Sequence, residues 1–421
     1  MKNILLIWRQ TFSKHHPKLH GLEILRFVGP GLLVTVGFID PGNWASNLSA
    51  GSAYGYKLLW VVTLSTIMLI FLQHNAAHLG IVTGLCLSEA CSQYYPNWVS
   101  KVFLLSGVGA AIATAVAEIL GAAIGLNMLF GLPLPLGEIL SVLLVAYLLF
   151  SNGYRKLEKW IIGFVSLIGL CFLFELALVK VIWKAALQDW FVPSLPSGSL
   201  PILMSVLGAV VMPHNLFLHS EIIQSRQWNQ QEEQVIRKQL KFEFMDTLLA
   251  MIVGWIINSA MILVTASVFY SRGITVNELP VAQATLKPLL GSAAALVFAL
   301  GLLFAGLASS ITAAMAGGCI FAGMFREPID LSDSHSRAGM ILTLCGALLI
   351  IFFIKDPFQG LIWSQIILSI QLPWTIFSLL FITFSAKVMG KFASSLGEKI
   401  ILGIIAVIVS ILNIMLLIQI T

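Results

Sequence analysis

Apolar runs of 18 or more residues recur along this sequence from about Gly29 to the C-terminus. Each run is long enough to cross the roughly 30 Å hydrocarbon core of a bilayer as an α-helix. Only 10% of the residues are charged, against about 25% in ordinary soluble domains. The alternating segments of about ten residues that are typical of a membrane β-barrel are absent from the sequence. The sequence therefore predicts an all-α polytopic membrane protein, because helices satisfy their own backbone hydrogen bonds in lipid.

About eleven spans can be separated by hydropathy and by the positions of glycine, proline and charged residues. They lie at about 24–53, 58–82, 101–130, 134–151, 158–183, 200–224, 243–271, 284–324, 337–354, 359–385 and 398–420. Residues 1–23 are then expected to form a cytoplasmic N-terminal segment, and residues 24–421 a single transmembrane domain.

The distribution of positive charge predicts the orientation of these spans. With the N-terminus inside, all but six of the 24 Lys and Arg residues fall in cytoplasmic segments, as the positive-inside rule requires, and the C-terminus lies outside. The N-terminal segment lacks the small-residue cleavage site of a secretory signal. We therefore expect an integral plasma-membrane protein, in the bacterial inner membrane, whose surroundings are the lipid bilayer. The modest net charge of +5 gives no sign of nucleic-acid binding.

Two spans carry a proline-containing interruption at corresponding places. The first span contains Asp-Pro-Gly-Asn at 40–43, and the sixth contains Met-Pro-His-Asn at 212–215. Paired interrupted helices in the two halves of a chain are typical of transporters built from inverted repeats, whose substrate site lies near the bilayer midplane. The spacing therefore predicts a 5+5 inverted repeat, with a first repeat at about 24–183, a second at about 200–385 and an extra eleventh helix at about 398–420.

Each interruption exposes a backbone oxygen, because proline lacks an N–H and its ring displaces the carbonyl four residues earlier. Pro41 frees the carbonyl of Gly37, and Pro213 frees the carbonyl of Ala209. Freed carbonyls in discontinuous membrane helices are a common means of coordinating cations. Two oxygen ligands are therefore expected at the breaks.

Side chains beside the two prolines complete a candidate cation site. Asp40 supplies a carboxylate, Asn43 an amide oxygen and Met212 a thioether. An ionisable residue deep in a membrane span is costly and usually functional, and a thioether favours a softer divalent ion, such as Mn²⁺ or Fe²⁺, over Mg²⁺ or Ca²⁺. Two other interpretations stay open at this point. Met212 could serve only as core packing, and Asp40 could cap the following half-helix, a role that is compatible with metal binding.

Six stretches of the sequence are similar to the signature motifs of one family, the Nramp (MntH/DMT) divalent transition-metal transporters. They are Gly29–Gly31, Asp40–Ala45, Leu79–Gly84, Ile112–Thr114, Met212–Ser220 and Ser364–Pro373. The resemblance extends over nearly all 421 residues. It implies a LeuT-type fold with helices 1 and 6 broken, and the import of Mn²⁺ or Fe²⁺ by alternating access.

The resemblance also implies roles for individual residues. The metal ligands that it implies belong to the two breaks and are Asp40, Asn43, Met212 and the carbonyl oxygens of Gly37 and Ala209. Gln365 in the tenth span and Asn258 in the seventh would lie near the ion during part of the cycle. The transported ion is a substrate, and no resident cofactor is expected.

The third span departs from the family pattern. Where family members usually read Ile-Ala-Thr-Asp-Leu-Ala-Glu, this chain reads Ile-Ala-Thr-Ala-Val-Ala-Glu at 112–118, so that Ala115 replaces an acid. A second acid, found two turns earlier, corresponds to Val108. The residues that remain for a proton route or for gating are Glu118, His214, His219 and Arg337. Histidine can change charge near neutral pH, but we expect proton co-transport to be weak, altered or absent.

Other functions can be weighed against this one. An Nramp-related Mg²⁺ importer without proton coupling fits the altered third span, whereas Met212 argues against it, because a thioether adds little for a hard, strongly hydrated ion. A receptor would need a soluble signalling domain, and an enzyme would need a nucleophile with its base or a catalytic zinc set. Neither is evident. We therefore expect no enzymatic activity and no obligate protein partner, with a divalent metal ion, and protons as a second candidate, as the substrates.

Two further groups of residues carry expectations. The five cysteines are scattered singly, without a C-x-x-C pair or a metal-finger spacing, and are interpreted as reduced thiols. His74 and His78 are four residues apart on one helical face, near a cytoplasmic end, and are expected to line an aqueous vestibule.

Overall fold

The computed structural model describes residues 40–151, 176–224, 227–280 and 292–420, together with the single positions 170, 174 and 282. Its helices, numbered in chain order, are α1 (Pro41–Tyr54), α2 (Leu59–Thr83), α3 (Leu87–Tyr94), α4 (Asn97–Phe130), α5 (Leu134–Ser151), α6 (Trp183–Phe191), α7 (Leu200–Val210), α8 (Pro213–Gln224), α9 (Glu233–Val268), α10 (Ser292–Gly323), α11 (Ser334–Ile351), α12 (Pro357–Thr383), α13 (Ala386–Met389) and α14 (Leu396–Ile420). The all-α class predicted from the sequence is confirmed.

Nine helical spans among the described residues are long and apolar enough to cross a membrane. The seventh span begins earlier than predicted, at Glu233 rather than at 243. Its first turns carry charged residues, which lower the hydropathy but which a helix tolerates outside the hydrocarbon. The short helices α3 and α6 follow spans and were not predicted. The first half of the first span, which includes Gly37, and most of the fifth span, at 158–183, lie outside the described residues.

The sixth span consists of two helices, α7 and α8, separated by Val211 and Met212. Val211 has φ −102° and ψ 77°, which lies outside the helical region. Pro213 then begins α8 without an N–H to donate. Helix α1 starts in the same way, at Pro41 with Asp40 as its cap. Both helices therefore begin at a proline within buried sequence. The break predicted in the first span also involves residues before 40, which lie outside the described residues.

Helix α4 packs closely against α10, and glycines set the distance between the two. A methyl group built on Gly306 would lie 2.6 Å from both the amide nitrogen of Ala122 and the carbonyl oxygen of Glu118. A methyl group on Gly125 would lie 2.9 Å from the Cα atom of Leu303. Small residues allow membrane helices to approach one another this closely. Each helix thus presents a glycine to the backbone of the other, and the packing fixes the position of Glu118.

The peripheral helices carry the exposed apolar surface. Helix α14 exposes Ile404 (54%) and Ile418 (70%), and α5 exposes Leu143 (61%) and Tyr147 (65%). Exposure of these side chains to a bilayer carries no free-energy penalty, because lipid tails are as apolar as the side chains. The polar residues that concern function lie instead between the inner helices.

We expect Gly306→Ala to destabilise the protein, because its methyl group would meet the backbone of α4 rather than a flexible side chain. Overpacking of this kind costs about 1–3 kcal/mol, which exceeds the ~1 kcal/mol that alanine gains over glycine in a helix. The melting temperature of the purified protein in detergent should therefore fall by a few degrees. The matched control is Gly109→Ala on α4, where a methyl group would meet nothing within 4 Å, and its melting temperature should stay level or rise. Equal melting temperatures in the two variants would contradict the close approach of α4 and α10.

Candidate functional site

Asp40 lies fully buried at the start of α1. Its Oδ1 accepts a hydrogen bond from the backbone N–H of Asn43 at 2.6 Å, which caps the half-helix. No donor among the described residues reaches its Oδ2. The carboxyl group of Glu118 on α4 is a close neighbour of the Asp40 side chain. Asp40 therefore does cap α1, and the cap leaves one carboxylate oxygen for another partner.

Asn43 connects the two helix breaks. Its Nδ2 donates to the carbonyl oxygen of Ala209, near the end of α7, at 2.8 Å. This is the carbonyl that has no helical partner, because Pro213 lacks an N–H. Asn43 and Ala209 are 166 residues apart in sequence, and both are fully buried. The structure thus brings together the first and sixth spans at the residues that the sequence singled out, and Asn43 Oδ1 faces no donor in the described part of the chain.

Met212 occupies the gap between α7 and α8 and is fully buried. Its sulfur lies 3.6 Å from Nδ2 of Asn215, which donates to it. Its side chain also packs with Ala110, Ala113 and Leu368. The sulfur is therefore held in place by one polar contact and by apolar neighbours on α4 and α12, and it stands in the break rather than along a continuous helix.

Gln365 on α12 lies against both breaks. A methyl group built on Gly42 would be 1.8 Å from Nε2 of Gln365, and one built on Gly208 would be 2.0 Å from its carbonyl oxygen. Its Nε2 donates to Ser364 Oγ at 3.2 Å, while no described donor reaches its Oε1. Glycines at 42 and 208 are what allow the tenth predicted span to come this close.

Three of the residues predicted for the metal site share one property, which is a buried oxygen atom without a hydrogen-bond donor among the described residues. These atoms are Oδ2 of Asp40, Oδ1 of Asn43 and Oε1 of Gln365. Buried acceptors in native proteins are almost always paired, so three of them at one place point to a partner of another kind. Carboxylate and amide oxygens are suitable ligands for a divalent cation. The arrangement is therefore that of a candidate cation site.

Glu118 faces this site from α4. Its Oε2 accepts a hydrogen bond from Ser309 Oγ on α10 at 2.5 Å, and no described donor reaches its Oε1. Ala115 and Val108 on the same helix are buried and apolar. Glu118 is thus the acid that α4 presents beside Asp40, and neither Ala115 nor Val108 can carry a proton.

The two histidines of α8 have different neighbours. His214 Nδ1 lies 3.1 Å from Thr114 Oγ1 on α4, whereas His219 Nδ1 lies 2.8 Å from Gln73 Oε1 on α2. Both rings are buried. At 3.6 residues per turn, a five-residue separation places them about 140° apart around the helix. They face separate helices and do not form one ligand pair.

Glu243 on α9 is a polar partner that the sequence reasoning missed. Its carboxylate forms a hydrogen bond with Nδ1 of His74, lies 3.9 Å from Nε2 of His219 and accepts a bond from Thr247 at 2.6 Å. We call Gln73, His74, His219 and Glu243 the histidine network. It runs from buried α8 to His74, whose side chain is 20% exposed. The sequence did contain a signal for this contact. Glu243 is an acid at the start of an apolar span, and another span carries histidines with which it could pair.

Asn258 and Arg337 lie apart from the three unpaired oxygen atoms. Asn258 Oδ1 accepts a hydrogen bond from Asn47 at 2.7 Å, and Asn47 is seven residues after Asp40, or about 10 Å further along α1. Arg337 is exposed at the start of α11, where its Nε donates to the carbonyl oxygen of Leu331 at 2.7 Å. Their contact with an ion or a proton route stays a prediction. Gly37 lies outside the described residues.

Comparison with known proteins gives a family match over most of the chain. The model of the family described as natural resistance-associated macrophage protein-like (Nramp) matches residues 31–419. The divalent metal cation transporter MntH of Caldanaerobacter subterraneus subsp. tengcongensis is 37% identical over 412 residues, which cover 96% of this chain and 96% of that protein. The protein of the same name from Brucella suis biovar 1 is 38% identical over 403 residues, which cover 93% of this chain and 88% of that protein.

Solved structures share the fold. A manganese transporter of Eremococcus coleocola, in complex with an aromatic bis-isothiourea substituted compound, superposes with a TM-score of 0.80 at 27% identity and covers 95% of this chain and 88% of its own. Mhp1, a nucleobase-cation-symport-1 family transporter, has a TM-score of 0.60 at 16% identity and covers 88% of this chain and 81% of its own, a likeness of fold alone. The expected family resemblance and LeuT-type fold are confirmed, and so is the expectation of a transporter rather than an enzyme.

Gly42→Ala tests whether Gln365 belongs to the candidate cation site. The added methyl group would lie 1.8 Å from the Gln365 amide, so this side chain has to move. We expect the affinity of the purified protein for Mn²⁺ to fall by about tenfold, which corresponds to ~1.4 kcal/mol, as measured by isothermal titration calorimetry. In a Gln365→Ala background the methyl group has room, and Gly42→Ala should then have little further effect. The same loss in both backgrounds would exclude Gln365 as the group through which Gly42 acts.

Proposed function

The chain belongs to the Nramp family, and from this premise we propose that it is a secondary transporter that imports divalent transition-metal ions, Mn²⁺ or Fe²⁺, by alternating access. The two curated relatives are named divalent metal cation transporters, and the Eremococcus coleocola structure is of a manganese transporter. The chain is an integral membrane protein with at least nine helical spans. We place it in the plasma membrane, in the bacterial inner membrane, with its N-terminus cytoplasmic and its C-terminus outside, because of its Lys and Arg distribution.

The observation that carries this proposal is the set of unpaired oxygen atoms on Asp40, Asn43 and Gln365. A buried polar atom without a partner costs about 1–3 kcal/mol, and a divalent cation bound among these oxygens would remove that cost. The carboxylate of Asp40 would offset part of the charge of the ion. The carbonyl oxygen of Ala209 could take part as well, because it keeps a second lone pair beside its hydrogen bond from Asn43.

Met212 supports a transition metal as the substrate. A thioether sulfur in the break adds a soft ligand to an otherwise hard oxygen set, which favours Mn²⁺ or Fe²⁺ over Mg²⁺ and Ca²⁺. The sulfur already accepts a weak hydrogen bond from Asn215, so it is oriented with a lone pair available to a polar partner. Packing against Ala110, Ala113 and Leu368 keeps the side chain at the break.

Alternating access follows from where the ligands come from. Asp40 and Asn43 belong to the first predicted repeat, whereas Ala209, Met212 and Gln365 belong to the second. Movement of one repeat against the other would open the site toward either side of the membrane around a fixed ion. The hydrogen bond between Asn43 and Ala209 spans the two repeats at this point.

We further propose that proton coupling is weak or altered. Helix α4 presents buried Ala115 and Val108 at the two positions where the family resemblance implies acids. Glu118 is still present close to Asp40, and two neighbouring carboxyl groups of this kind could hold one proton between them. A cation bound to Asp40 would displace such a proton. The histidine network is a candidate for the outer part of such a proton route, since each of its members lies close to the next and the network ends at partly exposed His74.

Asp40→Asn should reduce Mn²⁺ uptake into proteoliposomes to the level of empty liposomes. Asparagine keeps the shape of the side chain and its capacity to cap α1, so the loss reports the missing carboxylate. The matched control is Asp356→Asn, because Asp356 caps α12 immediately before Pro357, as Asp40 caps α1 before Pro41, but is exposed. This variant should transport like the parent protein. Parental uptake by Asp40→Asn would overturn the assignment of the site.

The choice of metal and the coupling to protons can be tested together in the same proteoliposomes, with internal pH followed during uptake. We expect uptake of Mn²⁺ with little acidification of the lumen, because Ala115 and Val108 in α4 cannot carry a proton. Ala115→Asp is the variant in which acidification should increase. Strong acidification by the parent protein would contradict weak coupling. Uptake of Mg²⁺ that excess Mn²⁺ does not inhibit would replace the proposed substrate by Mg²⁺.

Met212→Ala should weaken the discrimination of the transporter against Ca²⁺ and Mg²⁺, because the remaining ligands are oxygens. The measurement is competition of each ion with Mn²⁺ uptake. Met204→Ala is the matched control, since Met204 on α7 is also fully buried but lies two turns before the break. Both variants lose packing, so only Met212→Ala should change the competition. If neither variant does, Met212 is core packing.

A further inference from the structure

Cys86, Glu221 and Cys319 form a buried cluster away from the two breaks. They come from the residue before α3, from the end of α8 and from α10, and their ligand atoms all lie within 4.8 Å of one another. Relative exposures are 0%, 3% and 0%. The two cysteines are free thiols. Two thiols and a carboxylate gathered in this way are a ligand set typical of a metal site.

The distances within the cluster are short. Cys319 Sγ lies 3.4 Å from Glu221 Oε2. Ser88 stands between the two thiols, with its Oγ 3.0 Å from Cys86 Sγ and 3.8 Å from Cys319 Sγ. The three ligand atoms therefore face a common point, and the backbone would have to move little to bind one ion.

The ligands are oriented by neighbouring groups, as those of metal sites usually are. Glu221 Oε1 accepts a hydrogen bond from the backbone N–H of Ile329 at 3.1 Å, which turns Oε2 toward the thiols. The backbone N–H of Cys86 donates to Glu89 at 3.0 Å, and Gln224 donates to the same carboxylate oxygen at 2.6 Å. The loop that carries Cys86 is thereby tied to α8.

A cavity adjoins the cluster on the side of Glu221. Glu221 lines a cavity of about 580 Å³ that is also bordered by Gln224, Met315, Ile329 and Asp330. Its wall is mostly apolar, and Glu221, Gln224 and Asp330 supply polar groups. An ion in the cavity would meet the carboxylate of Glu221 before the thiols.

We propose that Cys86, Glu221 and Cys319 form a second metal site, which binds a thiophilic divalent cation such as Zn²⁺ or Cd²⁺ and inhibits transport. Thiolate ligands select softer ions than the oxygen-rich transport site does. Binding converts two thiols to thiolates and releases two protons, with no change of oxidation state. The inhibitory part rests on the proposed transport function, whereas the binding part does not.

The inhibition follows from the positions of the ligands in the chain. Cys86 belongs to the first predicted repeat, and Glu221 and Cys319 belong to the second. Alternating access requires one repeat to move against the other. A cation bonded to residues of both repeats would hold them in the arrangement seen here.

Binding is tested with Cd²⁺ and the purified full-length protein under reducing conditions, through the ultraviolet charge-transfer band of the cadmium–thiolate bond. Thioether and oxygen ligands do not give this band, so Cd²⁺ bound at the transport site does not contribute to the measured absorbance. We expect a band that saturates at one equivalent in the parent protein and in Asp40→Asn, and its loss in Cys86→Ser and in Cys319→Ser. Glu221→Gln should weaken the affinity by about tenfold or more.

The matched control is Cys91→Ser, because Cys91 on α3 is buried and lies outside the cluster. It should keep the parental band. Each variant is first required to match the parent protein in metal-free melting temperature and elution volume. No band in the parent protein, or a full band in either single serine variant, would overturn the site.

Inhibition is tested by equilibrating proteoliposomes with Zn²⁺ on both faces before Mn²⁺ uptake. We expect a part of the inhibition that high Mn²⁺ does not relieve, and its loss in Cys86→Ser and Cys319→Ser, which should transport normally without Zn²⁺. Inhibition that Mn²⁺ fully relieves, or that persists in these variants, would overturn the regulatory role. Absence of Mn²⁺ uptake by the parent protein would instead defeat the proposed function, while the Cd²⁺ result in Asp40→Asn would still decide the second site.

Discussion

A helix that is interrupted inside a bilayer leaves backbone groups that lipid cannot hydrogen-bond, and the site depends on how this chain satisfies them. Asn43 takes part on both sides. Its backbone N–H is capped by Asp40, and its side-chain amide donates to the freed carbonyl of Ala209. The second bond holds the start of α1 against the break in the sixth span. Both bonds use donors of Asn43 and leave acceptors unpaired, so the site keeps an excess of buried oxygen atoms. An excess of acceptors in a medium of low dielectric constant attracts a cation, and this is the physical basis of the proposed function.

Close packing, rather than further polar contacts, brings the remaining groups to the site. Gln365 reaches the breaks because positions 42 and 208 are glycine, and any larger side chain would displace it. Glu118 lies close to Asp40 because α4 presents Gly121 to the start of α1, where an added methyl group would lie 2.1 Å from the Cβ atom of Pro41. Such contacts exclude water, and exclusion of water strengthens the attraction between a cation and its ligands. The glycines therefore affect ion binding without touching the ion, which hydropathy alone would not have indicated.

The sequence was sufficient for features that depend on local chemistry. The break in the sixth span follows from Pro213, the capping role of Asp40 from its place before Pro41, and the all-α class from the length of the apolar runs. The missed features are contacts between residues far apart in the chain. Glu243 meets His74 169 residues away, and Cys319 meets Glu221 98 residues away. Such pairs depend on the rotation and the vertical register of each helix. A span that is apolar all round carries little information about either, because every face satisfies lipid or core equally well.

Helix α8 links the two sites that we propose. Met212 immediately precedes it and Glu221 lies nine residues further on, a distance of about 13 Å along a helix. Every residue of α8 is buried, and its contacts include Thr114 on α4 and Gln73 on α2. A short helix held on all sides moves as one body, so a bond at its far end restricts the break at its beginning. Coupling between the sites then needs no chain of intermediate rearrangements, because one rigid element bears a ligand of each. The softer ion at the thiols would reduce the rate at which the harder ion passes, although the two share no ligand.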